Sequence, residues 1–375
     1  MTDLSTSFLG KKIRNPIIIS SSPLTESAES ILECEKHGAG AVIAKSCSST
    51  RITQQGYRRC LIDTKGWWVS STYNREVQDV NKAIIYLRNA VVKTSIPIFA
   101  SVSEMSLDIN NWMKTCQLVQ KTGISGIQLD LFYLENTLNT INFRENFIEL
   151  LSSLQEKLEI PIFPKLNINL PSLYMADIFK ASKINNVSLL DSIRLPAPIS
   201  IENSGSIKMR HVSKIKTASL FGKWQFPLTM KYLYDFTLKE FSVCAGGGIQ
   251  DSKDIIELLL LGAQTVQVST VIILEGYKKI SELLSGIESY MTNYNFESID
   301  DIRGNALFHL TGERRYQKAK VKYHAFLCSR CKKCVSQAFC SAITNIGDDI
   351  VINEILCEGC SLCIDLCDSK ALSFY

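Results

Sequence analysis

The sequence predicts an α/β protein in which residues 1–307 form a (β/α)8 TIM barrel and residues 327–375 form a small ferredoxin-like α+β domain. Three observations predict this. Eight short apolar segments rich in β-branched residues recur along the first 307 residues, amphipathic segments separate them, and eight of the 13 cysteines lie beyond residue 327. Eight such units in about 300 residues are typical of a (β/α)8 barrel. A doubly wound sheet is the alternative that the same alternation permits.

The predicted strands are apolar along their whole length, as expected of parallel strands that are buried on both faces. Their alternation with helical segments predicts one strand in each β/α unit. In chain order the strands are Pro16–Ser21, Ala41–Ser46, Pro97–Val102, Gly126–Leu131, Pro161–Leu166, Val187–Asp191, Ser242–Ala245 and Thr265–Ser269.

The helical segments have apolar residues at the spacing of one helix face. The sequence predicts seven of them: Glu26–Lys36, Val80–Val92, Ile109–Gln120, Asn146–Lys157, Leu173–Lys183, Asp254–Leu261 and Ile280–Tyr294.

A dinucleotide-binding fold usually carries a G-x-G-x-x-G fingerprint after its first strand. The sequence most similar to this fingerprint, Gly38-Ala39-Gly40, lacks the third glycine and precedes a strand. We interpret it as a helix end and turn, and we expect no dinucleotide site in this chain.

Composition narrows the function classes. The 375 residues are 46% hydrophobic and 21% charged, with a net charge of +4, which gives no support for nucleic-acid binding. No apolar run approaches the roughly 20 residues needed to span a bilayer. Near the start of the chain, only Ile17–Ile19 form an apolar run, which is too short for a signal peptide. We therefore expect a cytoplasmic protein.

Two cysteine runs near the end of the chain have the spacing of iron–sulfur ligands. Each has the form Cys-x2-Cys-x2-Cys followed by a fourth cysteine, which matches bacterial two-cluster ferredoxins, where the fourth cysteine ligates the other cluster. We predict two [4Fe-4S] clusters. The first run is Cys328, Cys331, Cys334 and Cys340, and the second is Cys357, Cys360, Cys363 and Cys367.

Two details depart from that pattern: five residues precede Cys340 in place of three, and Asp368 stands where the pattern has proline. Structural zinc and disulfides are the alternatives. Zinc sites use pairs of cysteines, so the third cysteine of each run would be surplus, and disulfides would need export. We interpret the remaining cysteines as small buried hydrophobic residues: Cys34, Cys47, Cys60, Cys116 and Cys244.

Residues 308–326 are basic and lack periodicity, so we interpret them as a linker. Two alternatives remain for its cations, a solvated segment or a docking patch for an acidic partner. They are Arg314, Arg315, Lys318, Lys320 and Lys322.

Glycine-rich sequence marks a predicted phosphate site. Ala245–Ile249, with three consecutive glycines, follows the seventh strand, and Gln267–Thr270 ends the eighth. Glycines let the backbone approach an anion and present N–H groups to it. In (β/α)8 barrels the loops after strands 7 and 8 frequently form such a site.

Several short motifs occur together in a fixed order: Asn15-Pro16 with Ser20-Ser21-Ser22, then Ala44-Lys45-Ser46, Pro164-Lys165-Leu166, Ala245–Ile249, and Leu261-Gly262-Ala263 through Gln267. Together they resemble the FMN barrel of dihydroorotate dehydrogenases. A barrel of this kind followed by a two-cluster module is similar to the pyrimidine-reducing part of dihydropyrimidine dehydrogenase.

The resemblance implies that FMN binds above the carboxyl ends of the strands. Lysines near the flavin make chemical sense, because they stabilise the negative charge of the reduced ring; a strand-end lysine that reaches water is the alternative. By matching motif, Gly247, Gly248, Ser269 and Thr270 would hold the phosphate, Ser21 and Ser22 would line the isoalloxazine, and Lys45 and Lys165 would contact the ring or ribityl chain.

The substrate end departs from the family pattern. Asp130 and Asp191 stand where the family has asparagines, and Tyr133 stands where it has the cysteine after strand 4. Tyr133 is the nearest candidate for the acid that protonates a substrate carbon, and a packing role is the alternative. Asp130 or Asp191 is a second candidate acid. Two carboxylates would repel orotate and suit a cationic or amine-bearing substrate, or one of them pairs with Arg194 or a lysine.

Four hypotheses follow. The first is an FMN and iron–sulfur oxidoreductase acting on the CH–CH group of a pyrimidine-like substrate. The second keeps the cofactors with a different small molecule, the third is a non-catalytic electron-relay subunit, and the fourth is a tRNA-modifying flavin barrel. Without a nucleotide fold, electrons must pass to or from another protein, an NAD(P)H-dependent flavoprotein or a ferredoxin. A homo-oligomer is an open alternative to a monomer.

Overall fold

The computed structural model describes residues 2–50, 60–62, 69–71, 77–312 and 319–374. The chain forms two compact units, Met1–Leu310 and Thr311–Tyr375. Each is described by itself below.

The first unit is a closed barrel of eight parallel strands. Each strand pairs with the next in the chain, and the last pairs with the first, so the sheet has no free edge. This confirms the predicted (β/α)8 fold, and the doubly wound alternative is wrong. The strands are β1 Ile17–Ile19, β2 Ala41–Ile43, β3 Ile98–Val102, β4 Gly126–Asp130, β5 Ile162–Lys165, β6 Asn186–Ser188, β7 Ser242–Gly246 and β8 Thr265–Val268.

A helix follows every barrel strand, and several begin with a side-chain cap. Ser27 and Asp251, for example, accept hydrogen bonds from backbone N–H groups of the first turns of α1 and α7. A short helix, Thr270–Glu275, stands between β8 and the last helix. The helices are α1 Ala28–Lys36, α2 Val80–Lys93, α3 Ile109–Gln120, α4 Phe143–Lys157, α5 Ser172–Ala181, α6 Phe226–Leu238, α7 Ser252–Leu260 and α8 Lys278–Asn293.

The amino end of the barrel is filled by apolar side chains. Phe8, from the N-terminal hairpin Thr6–Phe8 and Lys11–Ile13, packs edge-on against Phe99 and Phe163 with ring centroids 5.8 and 5.3 Å apart. All three rings are buried. Successive strand residues point to opposite faces, so the positions two residues further along β3 and β5 face the same interior nearer its carboxyl end. Those positions, Ser101 and Lys165, are polar.

A four-stranded antiparallel sheet is built from the connections after β2 and β6. Neither the sheet nor α6 was predicted. Its strands, in order across the sheet, are Ile193–Pro196, Thr217–Phe221, Val69–Ser71 and Cys60–Ile62. Two further short strands, Cys47–Ser48 and Gln78–Asp79, extend the barrel sheet beside β3.

The second unit consists of two small antiparallel strand pairs and the short helix Leu362–Asp365. Its core contains Val321, Ile343, Ile350 and Leu372 together with Cys334. The strand pairs are Val321–Tyr323 with Leu372–Phe374, and Ile343–Ile346 with Asp349–Ile352.

The proposed linker cations Arg314, Arg315 and Lys318 lie outside the described residues. Lys320 forms an ion pair with Glu354, Nζ to Oε2 2.7 Å, and Lys322 lies exposed in its strand. Within the described ranges, no helix combines the length and apolar character needed to cross a membrane.

Candidate active site

A cleft opens at the carboxyl ends of the barrel strands, the end at which (β/α)8 enzymes carry their active sites. Its empty volume is ≈ 1270 Å³, which includes the open solvent at its mouth. All the barrel residues that the sequence singled out as candidates line it. They are Ser21, Ser22, Lys45, Asp130, Tyr133, Lys165, Asp191, Gly247, Gly248, Ser269 and Thr270.

The floor of the cleft is a hydrogen-bonded band of side chains that connects the segment after β2 with β3, β4, β6 and β8. Ser46 Oγ lies 2.9 Å from Ser101 Oγ, which accepts from Gln128 Nε2 at 3.0 Å. Ser188 Oγ donates to Gln128 Oε1 at 3.1 Å and accepts from Gln267 Nε2 at 2.8 Å. All five residues are buried. Since buried polar groups are expensive unless paired, this band fixes the ends of the strands relative to one another.

Lys165, at the end of β5, is 5% exposed and forms an ion pair with Asp191, Nζ to Oδ2 3.1 Å. Its ammonium also donates to Ser20 Oγ at 3.4 Å. Asp191 accepts from the backbone N–H of Ser192 at 2.6 Å and from its hydroxyl at 3.2 Å. A pairing of one aspartate with a lysine, which the sequence left open, is therefore present at Asp191.

Asp130 ends β4 and is 7% exposed. Its carboxylate accepts from Ser46 Oγ at 2.9 Å and from the backbone N–H of Phe132 at 3.1 Å. Burial raises the pKa of this carboxyl, and the nearby Asp191 carboxylate raises it further, whereas the Lys165 ammonium and the bond from Ser46 oppose the increase.

Lys45 follows β2 and is buried. Burial lowers the pKa of its ammonium, because desolvation disfavours the charged form, and the carboxylates of Asp130 and Asp191 oppose that change. The cleft thus sets two lysines and two aspartates close together in a poorly solvated place.

Tyr133 lies in a short 3-10 segment after β4, Phe132–Thr137, and is 5% exposed. Its ring packs edge-on against Phe132 at 5.1 Å. The Arg194 guanidinium lies over both rings, 5.6 Å from the Phe132 centroid and 5.9 Å from that of Tyr133. Packing alone is a sufficient reason for an aromatic residue here, so the geometry leaves both roles of Tyr133 open.

The glycines after β7 allow close backbone packing. Gly247 and Gly248 have φ values of +106° and +88°, in the region that favours glycine. A Cβ on Gly248 would lie 2.8 Å from the Cα of Phe226 and closer still to its backbone nitrogen. The loop therefore lies directly against the start of α6, and only glycine fits there.

These features fit FMN. The positive-φ glycine loop and the hydroxyls of Ser269 and Thr270 suit a phosphate. Lys45 and Lys165, which line the cleft, suit an electron-rich ring. Ser22 was expected to line the isoalloxazine. It lines the cleft, but its hydroxyl caps the 3-10 turn Pro23–Thr25 by accepting from Leu24 N at 3.2 Å.

Sequence reasoning missed other residues of the cleft. Gln225, just before α6, lines it and donates from Nε2 to the carbonyl of Asp191 at 2.7 Å. Cys60, expected to be buried, is exposed and also lines the cleft. For the buried band the signal was present, because Ser101 and Gln128 are polar residues inside otherwise apolar strands.

In the second unit the thiols fall into two groups that mix the two runs. Burial raises the pKa of the Cys334 thiol, and the thiols that add to this are Cys367, Cys328 and Cys331. Burial likewise raises the pKa of Cys363 to about 11, with contributions from Cys360, Cys340 and Cys357 and the smallest from Cys334. Taking the three largest thiol contributions to each shift, each group consists of three cysteines of one run and one cysteine of the other.

Two of these sulfurs accept backbone hydrogen bonds: Cys328 Sγ from Arg330 N at 3.4 Å, and Cys367 Sγ from Ala371 N at 3.2 Å. In the part of the chain that the structure describes, no three His, Cys, Asp or Glu side chains converge as ligands of a single metal ion. A four-iron cluster binds each thiolate at a different iron, so its cysteines need not converge on one point. The two groups fit such clusters in number and chemistry.

Comparison with known proteins agrees with the barrel and its cleft. Residues 3–291 match the family model described as dihydroorotate dehydrogenase. The catalytic subunit of dihydroorotate dehydrogenase B (NAD(+)) from Thermoplasma acidophilum is 24% identical over 324 residues, 82% of this chain and 100% of that protein.

Similarity extends to dihydropyrimidine dehydrogenases. The NAD-dependent dihydropyrimidine dehydrogenase subunit PreA of Escherichia coli K12 is 23% identical over 349 residues, 88% of this chain and 84% of that protein. The chloroplastic dihydropyrimidine dehydrogenase (NADP(+)) of Arabidopsis thaliana is 22% identical over 340 residues, 82% of this chain and 78% of that protein. With the family model covering most of the chain, the closed barrel and the cleft at its carboxyl end, this chain belongs to the dihydroorotate dehydrogenase family of flavin-dependent oxidoreductases.

Proposed function

We propose that the chain is an FMN- and iron–sulfur-dependent oxidoreductase that acts on the CH–CH group of a pyrimidine-like substrate, with electrons relayed through two [4Fe-4S] clusters. Residues 1–307 would hold FMN, 308–326 would link the two parts, and 327–375 would hold the clusters. One observation carries the proposal: a cleft suited to FMN and two runs of four cysteines with cluster-ligand spacing occur in the same chain.

In this proposal, Gly247, Gly248, Ser269 and Thr270 hold the FMN phosphate. Bound FMN supplies hydride transfer to or from one carbon of the substrate. Lys45 and Lys165 stabilise negative charge on the ring, and Ser21 and Ser22 line its face. The buried band beneath keeps these groups in place, because each of its members is hydrogen-bonded to a side chain from another strand of the barrel.

The second carbon of the substrate needs a proton donor on its own side. We assign this role to Tyr133, which lines the cleft beside Asp130 in sequence and space. Asp130 is the alternative donor, since burial and its neighbours raise its pKa. Asp191 is less suited, because its carboxylate is paired with Lys165.

A second protein would exchange electrons with the clusters, either an NAD(P)H-dependent flavoprotein or a ferredoxin. Two of the similar proteins are named as subunits, one a catalytic subunit and one subunit PreA, which supports a partner. Thiol-ligated clusters suit a reducing compartment, and we propose the cytoplasm.

The test is anaerobic reconstitution of the full chain with FMN, iron and sulfide. The expected product holds one FMN and about eight iron atoms per chain. After reduction by dithionite, uracil or thymine should reoxidise the flavin, seen as recovery of its absorbance. Reoxidation by other enoates or imines alone would favour the same cofactors with a different substrate. Reoxidation by none of these would favour an electron-relay subunit.

Replacing Tyr133 with phenylalanine tests the proton donor. Y133F keeps the ring packing against Phe132 and removes only the hydroxyl. If Tyr133 is the donor, the rate of flavin reoxidation by the substrate should fall by about 100-fold or more, while FMN retention stays unchanged. Stopped-flow absorbance measures the rate, and an unchanged rate would exclude this residue.

A further inference from the structure

The cleft is lined by equal numbers of cationic and carboxylate side chains. Among the cleft residues that the structure describes, Lys45 and Lys165 are the cations and Asp130 and Asp191 are the carboxylates. Three of the four are less than 10% exposed, and the Asp191 side chain is 21% exposed. Charges held in so little water interact strongly with one another and with any charge that a ligand brings.

Lys165 interacts with both carboxylates, since it pairs with Asp191 and lowers the pKa of the Asp130 carboxyl. Its ammonium lies 3.1 Å from Asp191 Oδ2, and its Cα is the register partner of Asp130 across β4 and β5. The Asp130 carboxylate is fixed by Ser46 and by the backbone of Phe132. Asp130 and Asp191 are also the carboxylates that act most strongly on Lys45. Each lysine thus already has carboxylate neighbours.

A ligand carboxylate entering this cleft would meet two carboxylates and two lysines whose charge is already compensated. Burying a charge without a partner is unfavourable, and like charges add to the penalty. A ligand N–H group, in contrast, would meet oxygen acceptors: a carboxylate accepts through both oxygens and has about four lone pairs. Asp130 accepts two hydrogen bonds from the protein, so its remaining lone pairs can accept N–H groups of a ligand.

We propose that Asp130 and Asp191 determine specificity by excluding carboxylate-bearing substrates, and that the cleft takes a neutral or cationic ring whose N–H groups donate to Asp130. This inference rests on the proposed function, since it names the substrate class of the same cleft. It separates this chain's substrate from dihydroorotate, which carries a carboxylate.

Uracil and orotate form a matched pair of probes, because they share one ring and differ by the carboxylate. Binding of each to the oxidised, FMN-loaded full chain is measured from the change in flavin absorbance, with isothermal titration calorimetry as a second readout. We expect the affinity for orotate to rise by about tenfold or more in D130N/D191N. Affinity for uracil should change much less.

The matched control is Asp177→Asn on α5, which removes one negative charge from an exposed carboxylate, 64% exposed, away from the cleft. It should leave both affinities unchanged. An affinity for orotate that is the same in wild type and D130N/D191N, including no binding to either, would overturn the proposal. So would an equal gain in D177N.

Failure of the proposed function would look different. It would appear as loss of FMN or iron on reconstitution, or as a flavin that no substrate reoxidises. The titration involves no turnover and no cluster, and calorimetry follows orotate even where flavin occupancy is low. A chain that transfers electrons as proposed yet binds orotate equally well in both forms would refute the substrate class alone.

Discussion

At the scale of single residues, Glu104 shows how a buried charge can organise a loop beside the cleft. It follows β3 and is 1% exposed. Its carboxylate accepts hydrogen bonds from the segment after β2 and from α3. The donors are Ser48 Oγ at 2.8 Å, Ser49 N at 3.3 Å, Thr115 Oγ1 at 2.7 Å and the Thr50 hydroxyl.

Removing this carboxylate should destabilise the barrel. Glu104→Ala would remove the acceptor that these four donors share and leave the buried Thr115 hydroxyl without one, and we expect the free energy of unfolding to fall by about 3 kcal/mol. Glu104→Gln keeps one acceptor oxygen and should cost about half as much. Urea unfolding measures both. The control is Glu149→Ala on the exposed face of α4, which should change stability by less than about 0.5 kcal/mol. Equal stability of E104A and E149A would contradict this account.

Residues could be predicted from the sequence where a motif fixes them to a strand end. Lys45, Lys165 and Gly248 were found in this way, and the structure brings them into one cleft. Glu104 and Gln225 were missed, because no motif marks them and their partners are distant in sequence. Their importance arises only when the barrel closes.

At the scale of elements, the turn after β7 depends on its contact with α6. Gly248 combines a positive φ with backbone atoms of Phe226 where a Cβ would stand. Gly248→Ala would therefore push the loop away from α6 and disturb the proposed phosphate site. We expect FMN affinity to fall about tenfold or more, equivalent to about 1.4 kcal/mol. Titration of the FMN-free protein, followed by quenching of FMN fluorescence, measures it.

Gly276 provides a matched control for this substitution. Its φ of +89° equals that of Gly248 within a degree, yet a Cβ there would meet no atom within 4 Å. Gly276→Ala thus imposes the backbone strain without the steric clash. If G276A weakens FMN binding as much as G248A, strain at positive φ is the cause and the contact with Phe226 is not.

The eight barrel strands were predictable because each is a short apolar run bounded by polar or turn residues. Helix α6 was missed although its buried positions, Phe226, Thr229, Leu233 and Phe236, keep a helical period. It follows directly on the 3-10 turn Lys223–Gln225 and has no side-chain cap, so its beginning is poorly marked. The four-stranded sheet was missed because it pairs Ser219 with Ser71, far apart in sequence.

At the scale of the whole molecule, the proposed function would couple two kinds of electron carrier. A flavin exchanges two electrons with a substrate, whereas an iron–sulfur cluster carries one. The cysteine spacing predicted two clusters and an exchange of the fourth ligand. The substrate was not predictable from the motifs, because the residues that would name it are the ones that differ from the family pattern.

The exchanged fourth ligand can be tested with pairs of cysteine variants in the full chain. If Cys367 completes the group of Cys331, then Cys331→Ser/Cys367→Ser damages one cluster only and should retain about four iron atoms. Cys331→Ser/Cys340→Ser damages both clusters and should retain almost none. Cys60→Ser, outside both groups, should keep about eight. Iron analysis and electron paramagnetic resonance of the reduced protein distinguish the variants. If C331S/C340S retained more iron than C331S/C367S, each run would ligate its own cluster. Equal iron in the two double variants would show that the two clusters do not form independently of each other.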